Sequence, residues 1–208
     1  MIKTLLYDWG GANVRLFHLI NGHHSAALDR IMQLGSWLAD HSHFPMYLAL
    51  VALAGLIHIR RPAARDPRRG QTQAAQWLGV IGVLSLAYIA DGLLLAWLKP
   101  WLDFPRPALA LPPGSVHVVG PPEYHYSLPS GHATFAMLVA AGVWPVLNRY
   151  GRLIAVVMVL WVGISRVSLG AHFPADVLAG YALSLLVVLV LRAVIHPLTR
   201  ASPGSGSL

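Results

Sequence analysis

The sequence contains no cysteine and few charged residues. Without cysteine, disulfides, cysteine-ligated zinc, iron–sulfur clusters and thiol catalysis are all excluded. Charged residues make up 11% of the 208 residues, whereas soluble domains carry about 25%. With 56% hydrophobic residues and a mean hydropathy of +0.58, the composition excludes a disordered, collagen-like or coiled-coil chain. It predicts an integral membrane protein.

The net charge of +7 includes one dense run of arginine in a short polar stretch between two apolar segments. Five arginines lie there: Arg60, Arg61, Arg65, Arg68 and Arg69. Such a loop is typical of the cytoplasmic side of a membrane protein. No aromatic residues alternate with these arginines, which disfavours a basic surface for nucleic acid. We therefore predict no nucleic-acid partner.

Five apolar segments have about the length that a membrane-spanning helix needs. They are His43–Ile59, Ala75–Leu98, Gly131–Leu147, Leu153–Leu169 and Ala175–Ile195. An earlier segment, Val14–Leu38, mixes apolar with charged residues and predicts an interfacial amphipathic helix; it would be a sixth span if it crosses. The predicted fold class is all-α: an integral membrane bundle of five to six transmembrane helices with an N-terminal amphipathic helix. Residues 1–200 are expected to form one domain, and 201–208 a flexible tail.

Three polar segments lie at the ends of apolar spans, and alternation of the spans places all three on the side opposite the arginine loop. They are Lys99–Pro107, Ser127–Ala133 and Ser165–Asp176. Lys99, Arg106 and Arg166 form a cationic set suited to phosphate oxygens. Ser130 and Gly131 lie where a helix is predicted to begin, and the free N–H groups of a helix start favour an anion. These five residues are the predicted phosphate-binding residues.

The same segments contain two histidines and an aspartate that suit phosphoryl transfer. His172 and Asp176 are four residues apart, so a helical turn would place them on one face. A carboxylate on one imidazole nitrogen leaves the other free as a nucleophile. His132, from another span, is positioned to protonate the leaving oxygen. The predicted site therefore works through a phosphohistidine, and three cations make a metal or other cofactor unnecessary.

At this point the motifs resemble a known family. Lys99-x6-Arg106-Pro107, Pro129-Ser-Gly-His132 and Ser165-Arg166-x5-His172-x3-Asp176 are similar to the three-part signature of the type 2 phosphatidic acid phosphatase superfamily, membrane branch. The resemblance implies a helical bundle core, metal-independent hydrolysis of phosphomonoesters or diphosphates, and inhibition by vanadate. It also implies the same roles for the residues named above: His172 as nucleophile, Asp176 as its orienting partner and His132 as general acid.

Several substrates are compatible with these motifs, which bind the phosphate and not the lipid chain. The short chain is most similar to bacterial undecaprenyl-pyrophosphate phosphatases, so undecaprenyl pyrophosphate is the first expectation. The alternative substrates are phosphatidylglycerophosphate, phosphatidate and lipid A phosphates. The alternative to an enzyme is a catalytically silent lipid-binding membrane protein. The expected partners are the lipid phosphate or diphosphate substrate and membrane lipids. The expected location is the bacterial plasma membrane, with the site on the extracytoplasmic side.

Two further features are less specific. The loop between residues 107 and 128 must border the site, and four of its residues are candidates for contacts with a lipid headgroup. They are Glu123, Tyr124, His125 and Tyr126. Asp91 lies inside an apolar span about two helical turns from Lys99, and we expect it to be a buried structural partner and not a substrate ligand.

Overall fold

The computed structural model describes residues 7–200, and of residues 61–65 and 196–200 it describes the backbone alone. These residues form helices, turns and loops and contain no β-strand. The predicted tail, residues 201–208, lies outside the described residues. The helices are α1 (Ala12–Asn21), α2 (Ala26–Leu38), α3 (Phe44–Arg65), α4 (Pro67–Leu102), α5 (Pro107–Ala110), α6 (Gly131–Val143), α7 (Arg149–Ser168) and α8 (Pro174–Arg200). The prediction of an all-α membrane bundle is confirmed.

Four segments are long and apolar enough to cross a membrane: His41–Arg60, Pro67–Ala110, Arg149–Ser168 and Pro174–Ile195. Their outward faces are apolar, with Leu93 of α4 67% exposed and Ile154 of α7 63% exposed. Large aliphatic side chains on the outside of long helices are typical of contact with lipid and not with water. The bundle is therefore multi-spanning.

Helix α6 is shorter than the predicted span Gly131–Leu147. It ends at Val143, because a 3₁₀ turn that contains Pro145 follows it. The guanidinium of Arg192, from α8, donates to the last carbonyls of α6, those of Ala141 and, at 3.1 Å, Gly142. A cation at this end of a helix also interacts favourably with the helix dipole.

The N-terminal segment differs from the single amphipathic helix that the sequence predicts. It forms two helices, α1 and α2, because the chain turns at residues 22–25 and Ser25 caps the second helix by accepting from the backbone N–H of Leu28. Helix α2 packs on α7, and α1 packs on α7 and α8. The buried amide of Asn21 donates to the carbonyls of Ser168 and His117 at 2.9 and 2.7 Å. These two helices are thereby fixed against the end of the bundle that carries the three motifs.

The α3–α4 connection is a single residue, Asp66, whose carboxylate accepts from the backbone N–H groups of Arg68 and Arg69. Pro67 then takes the first helical position, where its missing N–H removes no hydrogen bond. This tight hairpin places the arginine-rich segment at the end of the bundle opposite the motifs. The core between α4, α6 and α8 includes Leu84, Leu138 and Val188.

Candidate active site

The predicted catalytic and phosphate-binding residues lie together at one end of the bundle. Each is placed by the end of a helix. Two cations lie in the last turn of a helix: Lys99 in α4 and Arg166 in α7. The other residues lie at the start of a helix: Arg106 caps α5, Ser130 caps α6, Gly131 and His132 begin α6, and Asp176 is in the first turn of α8. His172 is in the loop between α7 and α8. The structure therefore brings all eight residues to one place.

His172 and Asp176 form a buried pair, with 3.4 Å between Nδ1 and Oδ2. They are not stacked on one helix, as the spacing predicted, because α8 begins at Pro174 and His172 precedes it. The backbone N–H of Phe173 donates to Asp176 Oδ2 at 2.8 Å, so the carboxylate also caps the start of α8. A carboxylate at this end of a helix is stabilised by the helix dipole.

Two hydroxyl groups that the sequence analysis did not assign complete the surroundings of Asp176. Tyr7 donates to Oδ1 at 2.8 Å, and Ser127 donates to Oδ2 at 2.5 Å. Burial, together with the charge of Asp176, raises the pKa of Tyr7 well above its ordinary value, so its hydroxyl keeps its proton and remains a donor. Ser127 begins the second polar segment, Ser127–Ala133, whereas Tyr7 is 169 positions from Asp176 and no local pattern marks it.

The second nitrogen of the His172 ring faces Arg106. A proton on Nδ1 satisfies Asp176 and leaves the Nε2 lone pair 3.4 Å from Nη1 of Arg106. Burial lowers the pKa of His172 well below its ordinary range, although Asp176 opposes this shift. The imidazole is therefore neutral at physiological pH, the form in which it can act as a nucleophile.

Arg106 is held in place mainly by backbone carbonyl groups. Its Nε donates to the carbonyl of His125 at 3.0 Å, its Nη1 donates to that of Ala171 at 3.3 Å, and its backbone N–H donates to that of Tyr124 at 2.8 Å. Nζ of Lys99 similarly donates to the carbonyl of Tyr126 at 3.2 Å. Three of the four residues predicted to contact a headgroup thus fix the cations through their backbone. The fourth, Glu123, pairs with Arg106 through its carboxylate.

Two buried polar atoms beside the histidines have no hydrogen-bond partner within the part of the chain that the structure describes. They are Oγ of Ser130 and Nε of Arg166. Nη1 of Arg166 donates to the hydroxyl of Ser36 on α2 at 2.5 Å, a contact that the sequence did not indicate. A buried donor without a partner is costly, and an anion bound between the two groups would satisfy both. This observation favours the predicted phosphate site.

Close packing of α8 against α6 fixes the start of α6. A Cβ atom added at Gly180 would lie 2.6 Å from the backbone oxygen of Ser130 and 3.0 Å from Oγ1 of Thr134. Only glycine therefore permits the observed approach. At Gly131, by contrast, a Cβ would meet only Leu95, at 4.0 Å, among the described residues.

A groove of about 610 Å³ begins at the candidate site and extends along α4 and α6. Lys99, Tyr126 and Gly131 line its upper part, and apolar residues such as Leu95 and Leu138 line the rest. Asp91 lines it as well and accepts a hydrogen bond from Ser184 of α8 at 2.6 Å. This contact agrees with the predicted structural role of Asp91. The groove connects the cations to the apolar layer of the bundle.

Comparison with known proteins decides the family. A family model described as the PAP2 superfamily matches residues 77–200, which include all three motifs. The chain belongs to the PAP2 superfamily. The prediction made from the motifs is thus confirmed for the family.

This PAP2 chain is similar to curated bacterial enzymes of different specificity. It is 35% identical over 126 residues to phosphatidylglycerophosphatase B of Bacillus subtilis (strain 168), which covers 56% of the chain and 57% of that protein. It is 31% identical over 133 residues to a lipid A 1-phosphatase of Rhizobium etli, and this match covers 59% of the chain and 54% of that protein. It is 27% identical over 186 residues to undecaprenyl-diphosphatase BcrC of Bacillus subtilis, and this match covers 84% of the chain and 80% of that protein. The chain thus spans just over half the length of the first two relatives.

Two solved structures share the fold of this PAP2 chain. The crystal structure of Aquifex aeolicus LpxE superposes with a TM-score of 0.69 at 21% identity and covers 88% of this chain and 95% of that one. The transmembrane PAP2 type phosphatidylglycerolphosphate phosphatase from Bacillus subtilis superposes with a TM-score of 0.68 at 22% identity. This match covers 94% of this chain and 90% of that one. At these identities the likeness establishes the fold.

Proposed function

We propose that this protein is a membrane phosphatase that hydrolyses a lipid phosphate or diphosphate through a phosphohistidine. The observation that carries the proposal is the position of the His172 ring. One nitrogen is paired with Asp176, and the other faces Arg106. Nearby are two buried atoms, Ser130 Oγ and Arg166 Nε, that have no hydrogen-bond partner among the described residues. A neutral nucleophile next to an anion site is the arrangement that phosphoryl transfer needs.

In the first step the substrate phosphate binds to Lys99, Arg106 and Arg166 and to the N–H groups at the start of α6. His172 Nε2 attacks phosphorus, a P–N bond forms, and the bond from phosphorus to the leaving oxygen breaks. His132 gives its proton to that oxygen. The leaving group is an alcohol from a phosphomonoester, or a singly charged lipid phosphate from a diphosphate.

In the second step a water molecule attacks phosphorus opposite Nε2 and loses a proton to His132. The P–N bond breaks, inorganic phosphate leaves and the His172 ring is again neutral. Asp176 holds the ring in one orientation throughout and stabilises the positive charge that the ring carries in the intermediate. The three cations offset the charge on the phosphoryl oxygens, so the cycle needs no metal ion.

Undecaprenyl pyrophosphate is the substrate that we propose first. The match to the undecaprenyl-diphosphatase covers 84% of this chain and 80% of the relative, a larger share of both chains than the matches to the phosphatidylglycerophosphatase and the lipid A 1-phosphatase. The groove that starts at Lys99 offers an apolar path for one hydrocarbon chain. Phosphatidylglycerophosphate is the second candidate, because the relative with that activity in its name is the more similar one in the matched region, at 35% identity.

The test is phosphate release by the purified protein from undecaprenyl pyrophosphate, phosphatidylglycerophosphate, phosphatidate and lipid A in detergent micelles. We expect turnover in EDTA and inhibition by vanadate, a mimic of the pentacoordinate phosphorus. In His172→Ala, kcat should fall by about 10³-fold or more, because the covalent nucleophile is lost. An unchanged unfolding temperature would show that the variant is folded.

Two results would contradict the proposal. More than about a tenth of the activity retained by His172→Ala would exclude the phosphohistidine. Complete loss of activity in EDTA with recovery on addition of magnesium would show that a metal ion, and not the cation set, neutralises the phosphoryl charge. The order of kcat/KM values across the four lipids identifies the substrate class.

A further inference from the structure

The guanidinium of Arg166 has one nitrogen held and one edge free. Nη1 donates to the hydroxyl of Ser36 at 2.5 Å. Nε is buried without a hydrogen-bond partner, and Nη2 makes no hydrogen bond either, among the residues that the structure describes. Nε and Nη2 share one edge of a guanidinium, whereas Nη1 lies beside Cδ. Ser36 therefore binds Arg166 away from the edge that can donate to two oxygens at once.

The backbone of Arg166 is tied to that of the proposed nucleophile. Its carbonyl accepts from the backbone N–H groups of Ala171 and His172 at 3.0 and 3.2 Å. These bonds fix the position of the Arg166 Cα atom relative to His172, but the long side chain keeps several rotatable bonds and much rotamer freedom. The hydrogen bond to Ser36 restricts this freedom at the far end of the side chain.

Ser36 is itself held rigidly on α2. It is buried, and α2 packs on α7, the helix that carries Arg166. The packing is close at the preceding residue, because a Cβ atom added at Gly35 would lie 3.0 Å from two ring atoms of Trp161. The Ser36 hydroxyl is therefore a fixed support for the guanidinium and not a flexible surface contact.

We propose that Ser36 is a positioning residue for phosphate binding, which holds Nη1 of Arg166 so that Nε and Nη2 donate to two oxygens of the substrate phosphate. A paired contact of this kind fixes the direction of the anion as well as binding it. The buried Nε, which has no partner among the described residues, marks where the first oxygen is expected. A hydroxyl suits this support, because it holds the guanidinium without offsetting its positive charge, as a carboxylate would.

The contact also gives α2 a function at the site. Without the Ser36 hydroxyl the guanidinium can adopt other rotamers, and phosphate binding must then order the side chain at a cost in entropy. The net contribution of one hydrogen bond corresponds to a change of about two- to tenfold in an affinity. The proposal rests on the proposed function for the identity of the anion, and on the Ser36–Arg166 contact for its mechanism.

The variant that tests this is Ser36→Ala, made in the His172→Ala protein so that binding is measured without turnover. Inorganic phosphate is titrated into the protein in dodecyl maltoside micelles, and binding is followed by isothermal calorimetry. We expect the dissociation constant to rise about two- to tenfold. The matched control is Ser184→Ala, because Ser184 is also buried and its hydroxyl donates to Asp91 of another helix at 2.6 Å, outside the cation set. The control should bind phosphate with unchanged affinity.

A second background separates positioning from a merely structural role. Arg166→Lys keeps the charge but has a single nitrogen and no edge to orient, so in that background Ser36→Ala should hardly change the phosphate affinity. An equal loss in both backgrounds would overturn the proposal, since Ser36 would then act through the fold. Equal affinity with and without the hydroxyl, in the protein that retains Arg166, would overturn it even if the protein is an active phosphatase. Failure of the His172→Ala protein to bind phosphate with Ser36 intact would contradict the phosphate site itself, and the role of Ser36 with it.

Discussion

The carboxylate of Asp176 accepts hydrogen bonds from three parts of the chain that are distant in sequence. Tyr7 precedes α1, Ser127 precedes α6, and the backbone N–H of Phe173 lies just before α8. With so many donors the carboxylate cannot rotate, and the imidazole paired with it is held in one orientation. Orientation of a nucleophile within a fraction of an ångström has large effects on rate. Tyr7 is thus a positioning residue in the proposed mechanism.

Removal of the Tyr7 hydroxyl should therefore slow the chemical step. In Tyr7→Phe we expect kcat to fall by about tenfold with KM unchanged, because Asp176 loses one of its donors while the phosphate site is intact. The control is Tyr47→Phe, which removes a hydroxyl bonded to the carbonyl of Leu38 at 2.8 Å, outside the site. Steady-state kinetics of both variants would measure these changes in kcat and KM. An equal effect in both, or a change confined to KM, would show that Tyr7 has no such role.

At the residue scale, the sequence predicted which eight residues the structure brings together but not the residues that support them. The eight could be picked out because each belongs to a short local motif. Tyr7 and Ser36 could not be predicted, because they contact the site across 169 and 130 positions. Their partners are set by the packing of the N-terminal helices on α7 and α8, which depends on the whole fold.

At the scale of helices, the contact between α6 and α8 determines where the phosphate-binding N–H groups lie. In Gly180→Ala the new Cβ would contact the Ser130 backbone at 2.6 Å and push the start of α6 away. We expect a loss of about 1–3 kcal/mol in the free energy of unfolding, as for other overpacked sites, together with a fall in kcat/KM. Thermal unfolding in detergent and kinetics on the best lipid substrate measure the two effects.

The matched control for this substitution is Gly82→Ala on α4. A Cβ at Gly82 meets nothing within 4 Å among the described residues, and alanine is the better helix former by about 1 kcal/mol. This variant should be as stable as the wild type or more so. If Gly180→Ala behaved in the same way, the close approach of α6 and α8 would not be needed for the site.

The helices that the sequence predicted best are those whose ends coincide with a change from apolar to polar residues. Helices α3, α7 and α8 include nearly all of His43–Ile59, Leu153–Leu169 and Ala175–Ile195. Hydropathy alone could not predict the end of α6, because Trp144, Pro145 and Val146 carry no charge and the break comes from Pro145, whose effect on the helix a hydropathy profile does not detect. It also could not predict the break between α1 and α2, because that break depends on a local turn and on helix capping, and the polarity of the chain does not change there.

At the scale of the whole molecule, the two ends of the bundle carry different chemistry. The candidate site lies at one end, and the Arg60–Arg69 segment, beside the α3–α4 turn, lies at the other. Loops rich in arginine stay in the cytoplasm. We therefore expect the site to face the extracytoplasmic side, where a carrier lipid could be dephosphorylated for reuse.

Single cysteines can test this orientation because the native chain has none. Ser115→Cys, in the loop at the site end, should react with a membrane-impermeant maleimide in intact spheroplasts. Gln71→Cys, in the second turn of α4, should react only after permeabilisation. Activity of both variants confirms that they are folded. The opposite labelling pattern would place the site in the cytoplasm and exclude a function in recycling an extracytoplasmic carrier lipid.

The short helix α6, with Arg192 against its last carbonyls, has a consequence for the surrounding bilayer. Thirteen residues rise only about 20 Å, whereas the hydrocarbon layer is about 30 Å thick. A guanidinium at the end of this helix attracts water and lipid headgroups toward it. The bilayer is therefore expected to be locally thinner where Trp144 and Pro145, just beyond α6, are exposed on the side away from the site. Such a membrane defect favours thin or short-chain bilayers, so the thickness of the host membrane itself becomes a determinant of how well this protein is accommodated.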